Sequence, residues 1–237
     1  MRSILSGLRG EQRRNMGNIG SRRVFSVAKA HRTQLQLSKR IVLEDKLHGR
    51  IRLVAGVDVA YSGDKSIGAV VVLDYDSCEV VETQVVVCKT RFPYIPTLLS
   101  FREIPPAVLG IKKLRVSPDV FLVDGQGFAH PFRCGFASHL GVVINKPTVG
   151  VAKSRLIGEV EDVEAGEGFS FLKDKGEVVG AVVATKAGCK PVYVSVGHMV
   201  SLEKAVEIVR HCIVGNRVPE PILRAHETAS CEKRKIK

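Results

Sequence analysis

Three consecutive apolar, β-branched runs are the feature that most constrains the fold of this chain. They are IRLVAGVDVAY (51–61), SIGAVVVLDY (66–75) and EVVETQVVVCK (79–89), and the short turn-type segments SGDK and DSC connect them. Runs of this composition favour strands, and connections this short join neighbouring strands in opposite directions. The sequence therefore predicts an antiparallel meander of three strands.

Helices and buried strands alternate after the meander. Amphipathic segments predict a helix at 28–47 and another within 130–144. A third helix begins in TLLSFRE (97–103) and breaks or ends near Pro105–Pro106. A fourth spans 201–214, with Ser201 as N-cap. Apolar runs predict buried strands at 119–125 and 147–153 and a further hairpin within 177–198. This order is typical of a ribonuclease-H-like α/β fold, a mixed sheet of three antiparallel strands and then parallel strands, flanked by helices. A fold alone does not specify a function.

The net charge of +12 is concentrated at the two ends of the chain. Residues 1–40 hold ten Lys and Arg against one acid, residues 231–237 hold four against one, and residues 41–230 hold 22 against 22. Total charge is therefore a weak argument for nucleic-acid binding, because attraction to a polyanion would come from the ends or from local clusters. We divide the chain into a basic N-terminal extension (1–27), a domain (28–230) and a basic C-terminal tail (231–237). A transit peptide and a start codon assigned upstream of Met16 are alternatives for the extension.

Composition excludes two other classes of protein. No apolar run approaches the ~20 residues that a membrane-spanning helix needs, so we expect no membrane role. The six cysteines are scattered without a CxxC pair, which indicates neither a zinc site nor a disulfide framework. We expect reduced thiols in a monomeric, cytoplasmic protein.

Two acids stand in positions that suggest a metal site. Asp58 lies in the middle of an apolar strand, where an uncompensated carboxylate is costly, and Asp124 ends a buried strand before Gly125 and Gly127. Neighbouring strands can bring such acids to one Mg²⁺, which oxygen ligands hold. The alternative for each acid alone is a hydrogen-bonded or salt-bridged structural role, and it is weaker for the acids jointly.

Four segments together resemble a known family. VAGVDVAYSGD, FPYIPTLLSFREIPP, PDVFLVDGQGFAHPFRCGFASHLGVVINKPTVGVAKSRL and VPEPILRAH are similar, in this order, to the successive motifs of endonuclease V, the deoxyinosine 3′ endonuclease. The resemblance covers about residues 28–230. It implies that Asp58, Glu103 and Asp124 hold Mg²⁺, for which Mn²⁺ can substitute, and that Lys153 lies near the scissile phosphate.

The resemblance also assigns nucleic-acid contacts. It implies that the PYIP segment, Pro93, Tyr94, Ile95 and Pro96, is a wedge whose Tyr94 enters the duplex, and that Gly125, Gly127 and His130 surround the extruded base. The structural alternative for PYIP is a proline-rich connector, and the structural alternative for His130 is a loop histidine that bonds to backbone groups.

Several positions depart from the family or stand apart from its site. Thr97 replaces the glycine that usually follows PYIP, which leaves the backbone conformation there open. His226 falls where the family has aspartate or histidine near the metal. Gln126, where histidine is common, receives no role. We expect Asp119 to be a capping or turn residue and His139 and His198 to be structural.

The implied function is that of a DNA repair endonuclease that acts on DNA containing deoxyinosine or other deaminated bases. Such an enzyme hydrolyses the second phosphodiester bond 3′ to deoxyinosine and leaves the lesion in a nicked strand with 3′-hydroxyl and 5′-phosphate ends. Two alternatives stay open: cleavage of inosine-containing RNA, and an inosine-binding module that does not cut. The presence of all three acids argues against the second.

Overall fold

The predicted meander is confirmed in the computed structural model, which describes residues 26–161 and 169–236; residues 1–25 of the predicted N-terminal extension lie outside the described residues. Strands β1 (Leu53–Ser62), β2 (Lys65–Asp74) and β3 (Val80–Lys89) pair antiparallel. Strands β4 (Val120–Asp124) and β5 (Thr148–Ala152) continue the sheet from β1 by parallel pairing.

Four further strands complete the sheet within the described ranges. They are β6 (Glu159–Glu161), β7 (Phe169–Asp174), β8 (Glu177–Val183) and β9 (Val192–His198), and the strand order is β3-β2-β1-β4-β5-β9-β8-β7-β6. The predicted mixed sheet and the β8–β9 hairpin are therefore confirmed. β6 and β7 were not predicted, since the three residues of β6 are all exposed and carry no apolar alternation.

Helices cover both faces of the sheet. They are α1 (Val27–Ser38), α2 (Leu99–Ile111), α3 (Phe136–Ile144), α4 (Leu202–His211) and α5 (Glu220–Lys235). Val54 and Leu122 pack in one apolar cluster with residues of α4 and α5, whereas Ala55 and Phe121 pack in the other with residues of α2 and α3. Because both faces are covered, the central strands are continuous apolar runs rather than alternating ones.

The N-terminal helix is shorter than expected. Helix α1 ends at Ser38, so the predicted helix at 28–47 is wrong beyond that residue. The N–H of Val42 donates to Nδ1 of His198 at 3.1 Å, and its carbonyl accepts from the N–H of Met199 at 2.7 Å. These bonds to the end of β9 require an extended backbone, and they override the local helical pattern.

Helix α2 runs through both of its prolines. The prediction of a break or end near Pro105–Pro106 is wrong, since the helix continues to Ile111. Each proline removes a helical N–H at a cost of about 3 kcal/mol, and packing against the sheet offsets this cost. A Cβ on Gly68 would lie 2.5 Å from the carbonyl oxygen of Pro106, so α2 rests directly on the backbone of β2.

The C-terminal helix was not predicted. Helix α5 includes residues 231–235, which we assigned to a basic tail. Its packing depends on Gly56 in β1, because a Cβ there would lie 1.8 Å from the carbonyl oxygen of Pro221. A glycine in a strand marks such a close approach of another backbone.

None of the helices in the described ranges is both long and apolar enough to cross a membrane. The six cysteines are all free thiols.

Ser201 caps α4 as predicted, with its Oγ accepting from the N–H of Lys204 at 3.2 Å.

Candidate active site

Strand register places two of the predicted acids side by side. In the parallel pair of β1 and β4, Val57 is the register partner of Val123, so Asp58 and Asp124 follow at neighbouring positions. Side chains alternate between faces of a strand, and both acids have the parity of Val54 and Leu122, which face α4 and α5. The side chains are 13% and 16% exposed. Two carboxylates therefore share one edge of the sheet with little solvent around them.

Helix α5 brings His226 to these acids. From the contact of Gly56 with Pro221, two strand residues advance about 7 Å and five helical residues about 7.5 Å, so Asp58 and His226 arrive at the same level. Nδ1 of His226 lies 2.8 Å from Oδ2 of Asp58. One ligand atom from each of Asp58, Asp124 and His226 lies within 4.8 Å of the others. These three residues could hold a metal ion.

Glu103 approaches from α2, on the other face of the sheet. It is not part of the 4.8 Å group, but it lines a cavity together with Asp124. Burial raises the pKa of Glu103 to about 8, and the charges of Asp58 and Asp124 contribute to this rise. Burial and the charge of Asp58 also raise the pKa of Asp124. The acids destabilise one another as anions, which is the environment that a divalent cation relieves. The donor set, oxygens with one imidazole, fits Mg²⁺ or Mn²⁺.

Lys153 forms a salt bridge with Asp124. Its Nζ is 2.6 Å from Oδ2 of Asp124, and its side chain is 40% exposed. The guanidinium of Arg217 donates to the carbonyl oxygens of Lys153, Lys190 and Pro191 at 2.6, 2.8 and 2.9 Å. Arg217 therefore fastens the end of β5 to the segment before β9 and fixes the backbone that carries the ammonium.

A cavity of about 540 Å³ opens next to the acids. Gly125, His130, Tyr94 and Pro96 line it, together with Gln126. Gly127 is not among the lining residues; a Cβ there would lie 2.2 Å from the carbonyl oxygen of Val196, so this glycine allows the loop to pack against β9. The cavity has the size of an ordinary small-ligand pocket, and a purine base fits in that class.

The side chain of His130 is buried at the cavity wall. Burial lowers its pKa to about 4, so the imidazole is neutral at physiological pH. Its Nδ1 accepts from the N–H of Phe132 at 3.2 Å, which fixes the tautomer with hydrogen on Nε2. A hydrogen bond to the backbone of Thr97 also contributes to its pKa, so the ring is held on both sides and brings no charge to a phosphate.

The side chain of Tyr94 in the PYIP segment lies outside the core. Tyr94 is 68% exposed, Pro93 and Pro96 are exposed, and Ile95 is half-buried. Thr97 adopts a left-handed φ of +69°, the conformation that the usual glycine would favour. The buried amide of Gln34 in α1 holds it there, since Nε2 donates to the carbonyl oxygens of both Thr97 and Cys134 at 2.8 Å. Gln34 thus ties the residue after the PYIP segment to the loop before α3.

The remaining predicted residues have structural partners. Oδ2 of Asp119 accepts from the N–H groups of Arg52 and Leu53 at 2.8 and 3.0 Å, as expected of a capping residue. His139 and His198 are buried, 3.0 Å from Oγ of Ser100 and 3.1 Å from the amide of Val42 respectively.

Comparison with known proteins identifies the family. A model of the endonuclease V family matches residues 35–227. The chain belongs to the endonuclease V family. Among curated proteins, endonuclease V of Thermofilum pendens is 48% identical over 203 residues, 85% of this chain and 87% of the relative. Endonuclease V of Roseiflexus is 47% identical over 206 residues, 86% and 92% of the two chains.

Solved endonuclease V structures share the fold. That of Streptomyces avermitilis has a TM-score of 0.83 at 36% identity and covers 89% of this chain and 94% of its own. Endonuclease V of Ciona intestinalis, in complex with a 24mer DNA containing an inosine followed by a ribo-adenosine, has a TM-score of 0.77 at 33% identity, with coverages of 89% and 99%.

Sequence reasoning missed the residues that support the site. Gln34 lies in a helix and Arg217 in a loop, and each acts through backbone carbonyls that are distant in sequence. Gln126 lines the cavity, and its Nε2 donates to the carbonyl oxygen of Ser154 at 2.9 Å. The one available signal was the position of Gln126 between the two glycines of DGQG.

Proposed function

We propose that this member of the endonuclease V family hydrolyses the second phosphodiester bond 3′ to deoxyinosine in DNA. The supporting observation is that Asp124 belongs both to the carboxylate cluster and to the wall of the base-sized cavity. A strand with its altered base in the cavity would therefore pass its backbone over the acids. The DNA of the Ciona structure, which contains an inosine, supports this choice of lesion.

We propose that Asp58, Asp124 and His226 hold Mg²⁺, with Mn²⁺ as a substitute, and that Glu103 completes the site. When bound, the cation polarises the phosphate and assists formation of hydroxide. The three carboxylates and the imidazole would hold it, and its charge would favour the anion of Glu103, whose pKa is raised first by burial and then by Asp58 and Asp124.

The reaction is a hydrolysis without a protein nucleophile. The oxygen of a water molecule attacks phosphorus, the bond from phosphorus to the 3′ oxygen breaks, and that oxygen leaves with a proton as the 3′-hydroxyl. The hydroxyl of the water stays on the 5′-phosphate. Lys153, whose ammonium is 2.6 Å from Asp124, would stabilise the negative charge that develops on the phosphate oxygens.

Recognition requires the base to leave the duplex. Tyr94, exposed at the rim of the cavity, would occupy the space that the base vacates, and Pro93 and Pro96 limit the motion of its loop. Backbone groups of Gly125 and the neutral His130 would contact the base edge. We further propose that residues 28–230 form the catalytic domain of a monomer that acts in the cytoplasm.

A cleavage assay with a deoxyinosine oligonucleotide tests the proposal. Wild type with Mg²⁺ should cut at the second bond 3′ to the lesion and leave ends that a ligase can rejoin, and Asp58→Ala and Asp124→Ala should lower this activity by about a hundredfold or more. Asp76→Ala, which removes an exposed acid paired with Arg50, is the matched control and should cut normally. Cutting of the adenine control strand at an equal rate would contradict the lesion preference.

The RNA alternative is tested by the same enzyme preparation. The ribo-adenosine after the inosine in the Ciona structure makes the 2′-hydroxyl at that position the relevant variable. We expect faster cleavage of deoxyinosine DNA than of matched inosine RNA. Binding of either strand without any cut, equal in wild type and in Asp124→Ala, would instead indicate a non-cleaving module.

A further inference from the structure

A second cavity, of about 380 Å³, lies at the same edge of the sheet as the acids. Lys89 and Arg91 at the end of β3 and Arg102 of α2 line it, with Phe92 and Phe101 beside them. Arg102 precedes Glu103 in the helix, so α2 separates this cavity from the proposed metal site. The residues of PYIP follow Phe92 directly, which places the cavity on the outer side of the wedge segment.

The cations of this cavity have no acidic partners. Within the described ranges, no carboxylate lies within 4.0 Å of Lys89, Arg91 or Arg102, and no acid is among the residues that line the cavity. The guanidinium of Arg102 lies over the ring of Tyr61 at 4.1 Å, but its Nε is buried without a hydrogen-bond partner. A buried donor without an acceptor is costly. The cavity therefore offers three cations that form no salt bridge within the described ranges, although the charge of Arg102 also acts on Glu103.

The floor of the cavity is aromatic and apolar. The rings of Phe92 and Phe101 stack with centroids 5.4 Å apart at 16°, and Pro105 and Pro106 complete the surface. Planar aromatic surfaces next to cations suit a nucleotide, because the base can stack while the phosphate is neutralised.

Strand geometry relates this cavity to the acids. Tyr61 lies three residues beyond Asp58 in β1, and its register partner in β2 is Ser66, which lines the cavity. Ser66 therefore lies about 11 Å from Asp58. Lys89 pairs with Lys65 one strand further and lies roughly 17 Å away. At a rise of about 3.4 Å per nucleotide, these distances correspond to roughly three to five nucleotides.

We propose that this cavity is a flanking-nucleotide site. It binds the phosphodiester and base of a nucleotide three to five positions from the bond that is cut, on the nucleic acid whose lesion occupies the first cavity. The inference rests on the proposed function for the identity of the substrate. The chemistry itself, an aromatic floor with three cations at one edge, requires only a nucleic-acid strand that crosses the sheet edge.

The test is the salt dependence of DNA binding. Lys89→Ala/Arg91→Ala removes two exposed cations, and Lys112→Ala/Lys113→Ala removes two exposed lysines after α2, outside the cavity. Binding is measured by fluorescence anisotropy in EDTA, without hydrolysis. On a duplex, the slope of log K against log salt should fall by about 0.9 for each phosphate that the protein no longer neutralises. We expect this fall for the cavity variant and no change for the control; equal slopes in both variants would overturn the proposal.

Substrate length locates the site. The affinity difference between wild type and the cavity variant should disappear when the duplex is shortened to fewer than three nucleotides beyond the cut on one side. Persistence of the difference on duplexes shortened on both sides would contradict the assigned position. With Mg²⁺, the single-turnover rate at saturating substrate should stay within about twofold of wild type, because the two cations are remote from the acids.

The two proposals fail in different ways. If wild type does not cut deoxyinosine DNA but the cavity variant loses salt slope on unmodified DNA, the proposed function is wrong, and the second cavity still binds nucleic acid but has no assigned distance from a cut. If wild type cuts and the cavity variant matches the lysine control, the proposed function stands and the flanking-nucleotide site is wrong. Charge reversal in Lys89→Glu/Arg91→Glu should decrease the salt slope further if the second cavity binds nucleic acid. It should leave the salt slope unchanged if the second cavity does not.

Discussion

Single carboxylates carry the chemistry proposed for this protein, and their environment sets their charge. Glu103 has a pKa of about 8 because burial and the charges of Asp58 and Asp124 disfavour its anion. At neutral pH, Glu103 is therefore protonated in the folded, metal-free protein and ionised in the unfolded chain. Divalent cation and protons should compete for the same place.

This competition gives a pH prediction. Glu103 has a higher pKa in the folded state, so it contributes stability at low pH that is lost as pH rises through about 8. His130 and His139 have pKa values lowered to about 4, so their contribution is complete above the ordinary pKa of histidine, about 6.5. Between about pH 6.5 and 8 we expect the Tm of the metal-free protein to fall, and Glu103→Gln to flatten this fall. A Tm that rises over this window in EDTA would contradict the assignment.

Thr97 shows backbone strain at one residue. A β-branched residue with a φ of +69° costs on the order of 1–3 kcal/mol, and Gln34 and His31 hold it in place. Thr97→Gly should relieve the strain. The greater conformational entropy of glycine in the unfolded chain should offset this gain by roughly 1 kcal/mol of folding free energy. We expect the Tm to rise by about 2 to 4 °C. Thr97→Val keeps the strain and should not raise the Tm; a lower Tm for Thr97→Gly than for wild type would show that the strain is absent.

At the scale of elements, the packing of α5 on β1 positions the residues of the proposed metal site. Neither element alone contains the site, because Asp58 comes from the strand and His226 from the helix, 168 residues apart. Gly56 sets the distance between them. In the same way, Gln34 in α1 and Arg217 before α5 connect loops that no local pattern associates.

Gly56→Ala tests this packing. The added Cβ would lie 1.8 Å from the carbonyl oxygen of Pro221, so α5 must move. We expect a decrease of about 1–3 kcal/mol in the free energy of unfolding and Mn²⁺ binding weaker by roughly tenfold, measured by calorimetry. Val54→Ala removes core volume on the same face without a clash and should lower stability but not Mn²⁺ affinity. Equal Mn²⁺ affinity in both variants would separate α5 from the metal site.

At the scale of the whole molecule, positive charge is unevenly distributed. Residues 41–230 have equal numbers of basic and acidic residues, and the N-terminal 40 residues hold ten Lys and Arg. Three cations at the second cavity and Lys153 beside Asp124 are local exceptions within the neutral region. Attraction to DNA should therefore come from two separable sources, the N-terminal residues and the edge of the sheet.

Removal of residues 1–24 separates these sources. We expect weaker DNA binding with a smaller salt slope, because six Lys and Arg are removed, and an unchanged cleavage rate at saturating substrate. Anisotropy at several salt concentrations and single-turnover kinetics measure the two effects. A large decrease in the saturated rate would place residues 1–24 in the chemistry and contradict the division at residue 27.

The sequence by itself determined the central sheet and predicted several residues of the candidate site. Valine and isoleucine runs of one strand length, separated by turn residues, specify the meander because local propensity and burial agree there. The motifs around Asp58, Asp124 and Lys153 were recognisable for a similar reason: each occupies the end or middle of a strong strand. The resemblance, and not spacing, supplied Glu103 and the inosine lesion.

Only the tertiary structure decided how far the helices extend and what holds the site together. Residues 39–47 leave the helical conformation to bond with the end of β9, and α2 continues through Pro105 and Pro106 because the sheet supports it. Helix α5, with few apolar residues, forms against the glycine of β1 that admits its backbone. These outcomes depend on packing between distant segments, and the energy of such packing exceeds the local preferences that a sequence displays.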